Sequence, residues 1–307
     1  MINRREFLQW LGFGLAAGWA SEGFLPISPA RGANREIHVN LIADAHLKDA
    51  DDRRAEPRAL ARAVGEVRRL QSRPDMLLFA GDLAHDGDPK ALALGKEILS
   101  DLPVPVLMVP GEGDGLEGAP WRRLFGEPWF LRSYSGVNLL GLYTYPCRSP
   151  HGLAFELGQP QIAWLAGELA RLDPAAPLVV LSHAPLTPVF RPWGQWTRDA
   201  ERIAPVLARF PHAVYFHGHV HRAGVRGQVS GFRGEGSGGN RLNLFTENRK
   251  PKTENRLSIP ATAWPLPSPL QGTPAFLVPG LGPRGCGWAG VSLRSQSWEF
   301  LPRIWTA

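Results

Sequence analysis

A layered α/β fold is predicted for this 307-residue chain from three observations. Short apolar runs alternate with stretches whose apolar residues recur at helical spacing, the order that builds helices onto a sheet. A hydrophobic content of 44% suits one large domain, or two small ones, with a sizeable core. Polar residues rich in Asp and His stand directly after successive strand-like runs, where open α/β sheets place their ligands. The 11 Trp and 14 Phe argue against disorder over most of the length.

Taken in order, the run from Ile37 to Ala43 alternates and then turns apolar, as a buried strand does. From Ala55 to Arg69 a helix is predicted, with Leu60, Ala63, Val64 and Val67 on one face and arginines on the other. Strand Met76 to Phe79, helix Pro89 to Leu99 and strand Val104 to Val109 follow, then a strand from Val137 to Tyr145. A helix with proline in its first turn runs from Pro160 to Leu172, before strand Leu178 to Leu181, helix Arg198 to Phe210 and strand Ala213 to Phe216. The tail beyond Leu257 is richer in Pro and Trp. Its two strand-like runs, Ala289 to Leu293 and Trp298 to Ile304, are expected to close the same sheet system.

Residues 1–33 read as a separate segment. Arg4-Arg5 is followed by x-Phe-Leu and then by the apolar, Gly/Ala-rich run from Trp10 to Ala20, which is shorter than the ~20 residues a membrane span needs. This resembles the twin-arginine export signal of bacteria, an address read by a receptor that handles folded proteins. Ser28-Pro29-Ala30 offers small residues for cleavage, so residues 34–307 are expected as one domain in the periplasm, or anchored to the membrane if the signal stays. An oxidising compartment would let Cys147 and Cys286 pair if they come close in space; two separate buried thiols are the other reading.

Charge is concentrated between residues 222 and 256, where eight Arg and Lys stand against three Glu. This net +5 compares with +6 for the whole chain, and the segment is rich in glycine. A long mobile loop facing an anionic ligand or surface is one reading, and an ordinary solvated loop the other.

The chemistry is carried by Asp44-Ala45-His46 after the first strand, Gly81-Asp82 after the second, and Gly111-Glu112-Gly113-Asp114 after the third. Ser182-His183 and His217-Gly218-His219-Val220-His221 follow later strands. One strand-end His is usually a hydrogen-bonded structural residue, but five such sites in register are a metal-ligand pattern. Carboxylate with imidazole suits Mn, Fe or Zn, and the lack of Cys disfavours a closed structural zinc site.

These motifs, in this order, resemble the calcineurin-like metallophosphoesterase family over about residues 37–222, and Gln161-Ile162-Ala163-Trp164-Leu165 is similar to a stretch of the same family. The resemblance implies a two-sheet β-sandwich flanked by helices, with two metal ions in a cleft. Asp44, His46 and His221 would hold one, His183 and His219 the other, and Asp82 would bridge them. It also implies hydrolysis of a phosphodiester or phosphomonoester, in a phosphorylated small molecule or nucleotide, by a water that the two cations activate.

Two positions depart from the family's Gly-Asn-His-Asp. Glu112 replaces the Asn ligand and is expected to bind metal as a third carboxylate, which tightens cation binding and lowers Lewis acidity; the other reading points Glu112 away. Gly113 removes the His taken to protonate the leaving oxygen, help worth ~10²–10⁴-fold. Asp114 and His85 then stand with Asp82 as candidate catalytic groups, His151 is a more remote proton source, and Arg222 is the candidate substrate contact. Three function classes follow: an exported phosphoesterase, a metal-retaining homologue with weak or lost catalysis that binds or regulates, and a binder of nucleic acid or lipid surfaces through the basic loop.

A reporter fused to residues 1–33 is expected to leave the cytoplasm, and replacing both Arg4 and Arg5 by Lys is expected to stop it. Undiminished export of that variant, or export in cells without twin-arginine machinery, would count against this reading of the segment.

Overall fold

The structure is a computed structural model that describes residues 37–115, 119–150, 152–188 and 194–221, and the backbone of five strands at 224–226, 257–260, 275–277, 287–294 and 297–304. The expected export signal, His151, Arg222, Cys286 and most of the basic loop lie outside the described residues.

The first half runs β1 (Ile37–Ile42), α1 (Ala55–Arg68), β2 (Met76–Ala80), α2 (Pro89–Ser100), β3 (Val106–Val109), α3 (Ala119–Phe125) and β4 (Phe130–Tyr134). It continues through β5 (Val137–Leu142), the hairpin β6 (Tyr145–Ser149) and β7 (Gly152–Glu156), α4 (Gln159–Leu169) and β8 (Leu178–Ser182). Then come α5 (Ala204–Leu207), β9 (Ala213–His217), β10 (Gly224–Arg226), β11 (Leu257–Pro260), β12 (Ala275–Leu277), β13 (Gly287–Arg294) and β14 (Ser297–Ile304).

Two six-stranded sheets result, in the orders β11-β14-β13-β1-β2-β3 and β10-β12-β9-β8-β5-β4. One apolar layer joins them: Leu41, Leu78, Val109, Leu139, Leu181 and Phe216 come from both sheets and are buried together. The outer face of the first sheet packs Ile42, Leu77 and Phe79 under Leu60, Val64, Leu92 and Trp121 of α1 to α3. On the other side Leu140, Val180 and Tyr215 meet Leu165 and Leu169 of α4 and Leu207 of α5. The order of layers is therefore helices, sheet, sheet, helices, the sandwich that the family resemblance implies.

Local chemistry sets the helix ends. Asp88 caps α2 by accepting from the Lys90 N–H, with Pro89 as the first helical residue. The buried Gln161 of α4 accepts from the Tyr143 N–H and donates to the Tyr143 and Leu157 carbonyls, which fastens that helix to the end of β5. Besides elements that the sequence reading did not predict, such as α3 and β4, three expected ones come out differently. The strand predicted to Tyr145 stops at Leu142, and Tyr145 opens a separate hairpin. The helix predicted from Arg198 to Phe210 is instead a 3₁₀ turn, Ala200–Arg202, followed by the single turn α5. Pro205 has no N–H to continue a hydrogen-bond ladder from the preceding turn, so α5 starts afresh around it. Residues 224–226 of the basic segment form β10, paired with β12 rather than looping.

Parallel pairing aligns the strand ends. Ile42 lies opposite Phe79 and Ala80 opposite Val109 in the first sheet, while Leu142, Ser182 and His217 stand in one row of the second. Leu41, fully buried between the sheets, is expected to cost about 2–5 kcal/mol on truncation to Ala, seen as a lower urea midpoint with an unchanged slope. A shift below about 1 kcal/mol would show that the two sheets do not share this core.

Candidate metal centre

Beyond the ends of β1 and β2 the chain keeps pairing although it has left the extended conformation. Asp44, His46 and Leu47 donate their N–H groups to the carbonyls of Gly81, Asp82 and Leu83, each at 2.9 Å. Asp44, His46, Asp82, His219 and His221 all adopt positive φ, between 50° and 65°. Left-handed backbone costs a non-glycine residue of order 1 kcal/mol or more and clusters at functional sites, so five such residues meeting in one place call for a common purpose.

Their side chains meet. Ligand atoms of Asp44, His46 and His221 lie within 4.8 Å of one another, and so do those of Glu112, His183 and His219. Asp82 stands between the two trios: its Oδ2 is 3.7 Å from His46 Nδ1 and 3.5 Å from His183 Nε2. In the first trio His46 Nε2 and His221 Nε2 approach to 2.9 Å, and His221 Nε2 is 3.4 Å from Asp44 Oδ1. In the second, Glu112 Oε1 lies 2.9 Å from His219 Nδ1 and Glu112 Oε2 lies 2.7 Å from His183 Nε2.

This donor set fits metal ions. Among the described residues nine buried side-chain polar atoms lack a hydrogen-bond partner, and four of them are here: Asp44 Oδ2, His46 Nδ1, Glu112 Oε2 and His183 Nε2. Glu112 Oε2 and His183 Nε2 are thus close without a well-directed hydrogen bond. Carboxylate oxygens and imidazole nitrogens gathered this closely, several of them without a partner, are what a cation of the Mn, Fe or Zn type satisfies.

The electrostatics agree. Burial pushes Asp82 well above the usual carboxylate range, with Glu112, Asp114 and Asp44 adding to the push against the pull of His183. Burial also opposes charge on Glu112 and Asp44, but the imidazoles around them outweigh it and hold both carboxyls low. His183 is raised well above its ordinary value because Asp82 and Glu112 overcome its desolvation. Burial lowers His46 to about 4, leaving it a neutral lone-pair donor. The protein alone therefore balances its buried carboxylates by charging an imidazole, and a cation would do so without that protonation.

The loops that carry Asp82 and Glu112 are tied to each other. Gly113 N–H donates to Asp82 Oδ1 at 2.7 Å, and Gly87 N–H to the Gly113 carbonyl at 2.8 Å. Asp114, expected among the catalytic groups, is instead fully buried as a clamp. Its Oδ1 accepts from the Ala84 N–H and its Oδ2 from the Gly111 N–H, and the carboxylate is wholly shielded from solvent, which keeps it from substrate. Its carboxyl rises to about 6 through burial, which those two N–H groups partly offset. His85 is exposed, with its ring 5.9 Å from that of His46 and at 73° to it. Residues 1–33, Arg222 and His151 lie outside the described residues.

Sequence reasoning overlooked Gln195, whose Oε1 lies 2.8 Å from His219 Nε2. No motif or periodicity marks a glutamine in a loop. It also gave no reason for Gly113 beyond a missing His. A Cβ at Gly113 would lie 2.5 Å from the Ala84 carbonyl oxygen, so the glycine is required by the way the two loops close.

Parallel strands that present two candidate metal-ligand trios with a carboxylate between them define a candidate dinuclear metal site. Residues 37–223 match the family described as calcineurin-like phosphoesterase, and the chain belongs to it. The 3',5'-cyclic adenosine monophosphate phosphodiesterase CpdA of Escherichia coli is 31% identical over 170 residues, covering 51% of this chain and 58% of that protein. A probable glycerophosphodiester phosphodiesterase, GpdQ of Arcobacter nitrofigilis, is 24% identical over 198 residues, covering 60% of this chain and 71% of its own. The match to CpdA therefore takes in less than two thirds of that relative. In fold the chain is similar to a dimetal phosphatase from Danio rerio, with a TM-score of 0.57 at 14% identity, covering 87% of this chain and 96% of that one.

Replacing Gly113 by Ala or His is expected to destabilise the protein by roughly 1–3 kcal/mol, the usual cost of overpacking, and to lower its metal content. A Gly113→His protein with wild-type melting temperature and full metal content would show that the loops separate freely.

Proposed function

We propose that this chain is an exported, metal-dependent phosphoesterase acting on phosphodiesters of the nucleotide or glycerophosphodiester class. The observation that carries this reading is the pair of ligand trios flanking Asp82. The substrate class is supported by the phosphodiesterase activities for which the two relatives are named, and export by the N-terminal segment.

Two bound cations of the Mn, Fe or Zn type would supply Lewis acidity to the phosphoryl oxygens and activate water. The protein's part is placement. Asp44, His46 and His221 define one position and Glu112, His183 and His219 the other, with Asp82 shared between them. The Gly113 N–H holds Asp82 Oδ1 and leaves Oδ2 facing both trios. Glu112 brings a third carboxylate, which favours tight cation binding over maximal Lewis acidity. With no side chain at Gly113, we assign proton delivery to the leaving oxygen to His85, exposed and set against His46. Arg222 is assigned to the substrate's negative charge because it follows His221 directly in sequence, and anionic partners of the wider basic segment belong to the same reading.

A second reading, metal retention with weak catalysis, is favoured by the closed loops at Gly113. Metal content and hydrolysis of an activated aryl diester and of an alkyl diester, with Mn²⁺ present, separate the two. The phosphoesterase reading expects turnover that falls more than ~10²-fold in Asp82→Asn, since even outer partners of metal ligands are worth 10–100-fold. His85→Ala should slow the alkyl diester by ~10²–10⁴-fold while sparing the aryl one. Two metals without turnover would establish the second reading; less than one metal per chain would sink both.

A further inference from the structure

Gln195 lies outside the ligand set, yet the chain takes trouble to place it. Thr197 donates its N–H to the Pro185 carbonyl at 2.8 Å, Arg198 to the Phe155 carbonyl at 2.8 Å, and Phe155 to the Trp196 carbonyl at 3.3 Å. Two residues further on, the Asp199 carboxylate accepts from the N–H groups of Leu157 at 2.7 Å and Gly158 at 3.0 Å. The segment holding Gln195 is thereby stitched to β7 and to the start of α4. Phe155, at the middle of that seam, packs edge-on to the His219 ring, with centroids 5.0 Å apart and planes at 77°.

The His219 ring has two nitrogens with different partners. Nδ1 faces Glu112 Oε1, a fellow member of the trio, at 2.9 Å, while Nε2 faces Gln195 Oε1 at 2.8 Å. An imidazole binds a metal through one lone pair only if its proton sits on the other nitrogen, and an acceptor there fixes both the tautomer and the ring direction. His183, in the same trio, shows the same arrangement with a backbone acceptor: its Nδ1 is 2.8 Å from the Ala80 carbonyl oxygen. For His219 that acceptor is a side chain, so this half of the site can be altered without touching a ligand.

We propose that Gln195 is the positioning residue for His219, accepting the Nε2 proton so that the Nδ1 lone pair is held toward the second metal position. The inference rests on the metal-binding reading of the site and not on its substrate. Its failure and the failure of hydrolysis are therefore read by different experiments.

The test is a Co²⁺ titration of the metal-free full chain, followed by visible absorption, for wild type, Gln195→Leu and Gln195→Glu, with the melting temperature of each metal-free protein alongside. Wild type is expected to bind two Co²⁺. Gln195→Leu should weaken one of the two by roughly 10–100-fold, the usual effect of losing such a partner, with the other event and the melting temperature unchanged. Gln195→Glu keeps an acceptor oxygen in place and should bind both ions within a few-fold of wild type. The proposal is overturned if Gln195→Leu titrates like wild type, or if it weakens both ions together with a drop in melting temperature, which marks a structural role. It is equally overturned if Gln195→Glu fails as Leu does, because the glutamine would then be donating to His219. A wild type that takes up no Co²⁺ overturns it along with the metal reading.

Discussion

Buried negative charge is the constraint around which this protein is arranged. Asp44 and Asp82 are almost wholly removed from solvent and Glu112 is largely so, and among the described residues the groups beside them that can carry positive charge are imidazoles. Carboxylates so placed are tolerable only if something positive joins them, because desolvation of an unpaired charge costs several kcal/mol. The surrounding structure holds that arrangement in place: two sheets end in one row, loops continue the pairing in left-handed conformations, and Asp114 ties the second and third of those loops together. Glycine recurs in this region for the same reason. A Cβ on Gly81 would lie 2.6 Å from the His183 ring, and one on Gly111 would lie 2.2 Å from Asp82 Oδ1.

The departures at Glu112 and Gly113 make sense as a pair. Glu112 reaches two imidazoles with its two oxygens, which requires the 3₁₀ turn at Glu112–Asp114 to sit close over Asp82. That closeness puts the Gly113 N–H on Asp82 Oδ1 and leaves no room for a side chain against the Ala84 carbonyl. A longer acidic side chain and a missing neighbouring one are thus accommodated by one loop geometry. The position reads less as a lost catalytic group than as a differently built rim.

Much of this was legible in the sequence because the relevant signals are local. Strands β1, β2, β3, β8 and β9 announce themselves as apolar runs, and the ligands follow each run directly, so their convergence needs only that the strands be parallel and in register. What was not legible depends on contacts between distant segments. Asp114 looked catalytic by its place in a motif, and only the positions of Ala84 and Gly111 show that both its oxygens are taken. Gln195 has no local mark at all, since its meaning comes from a seam with Phe155 forty residues earlier. The hairpin at Tyr145 was hidden because Tyr143, Thr144 and Tyr145 are all good strand formers and extend the pattern past the point where the chain turns out of the sheet.

The pairing of β1 with β13 carries a consequence for how the molecule comes to exist. Ile37 sits opposite Leu293 and Leu41 opposite Ala289, so the strand that delivers Asp44 is flanked on one side by chain made some 250 residues later. Contacts of such long sequence separation slow folding and tend to form last. During synthesis β1 can pair with β2 as soon as Met76–Ala80 emerges, but its other edge stays open to the growing chain. That edge is a surface onto which a strand from another copy could add. Completion of the sheet, and with it a lasting frame for the first ligand loop, therefore waits for residues 287–294 to be made.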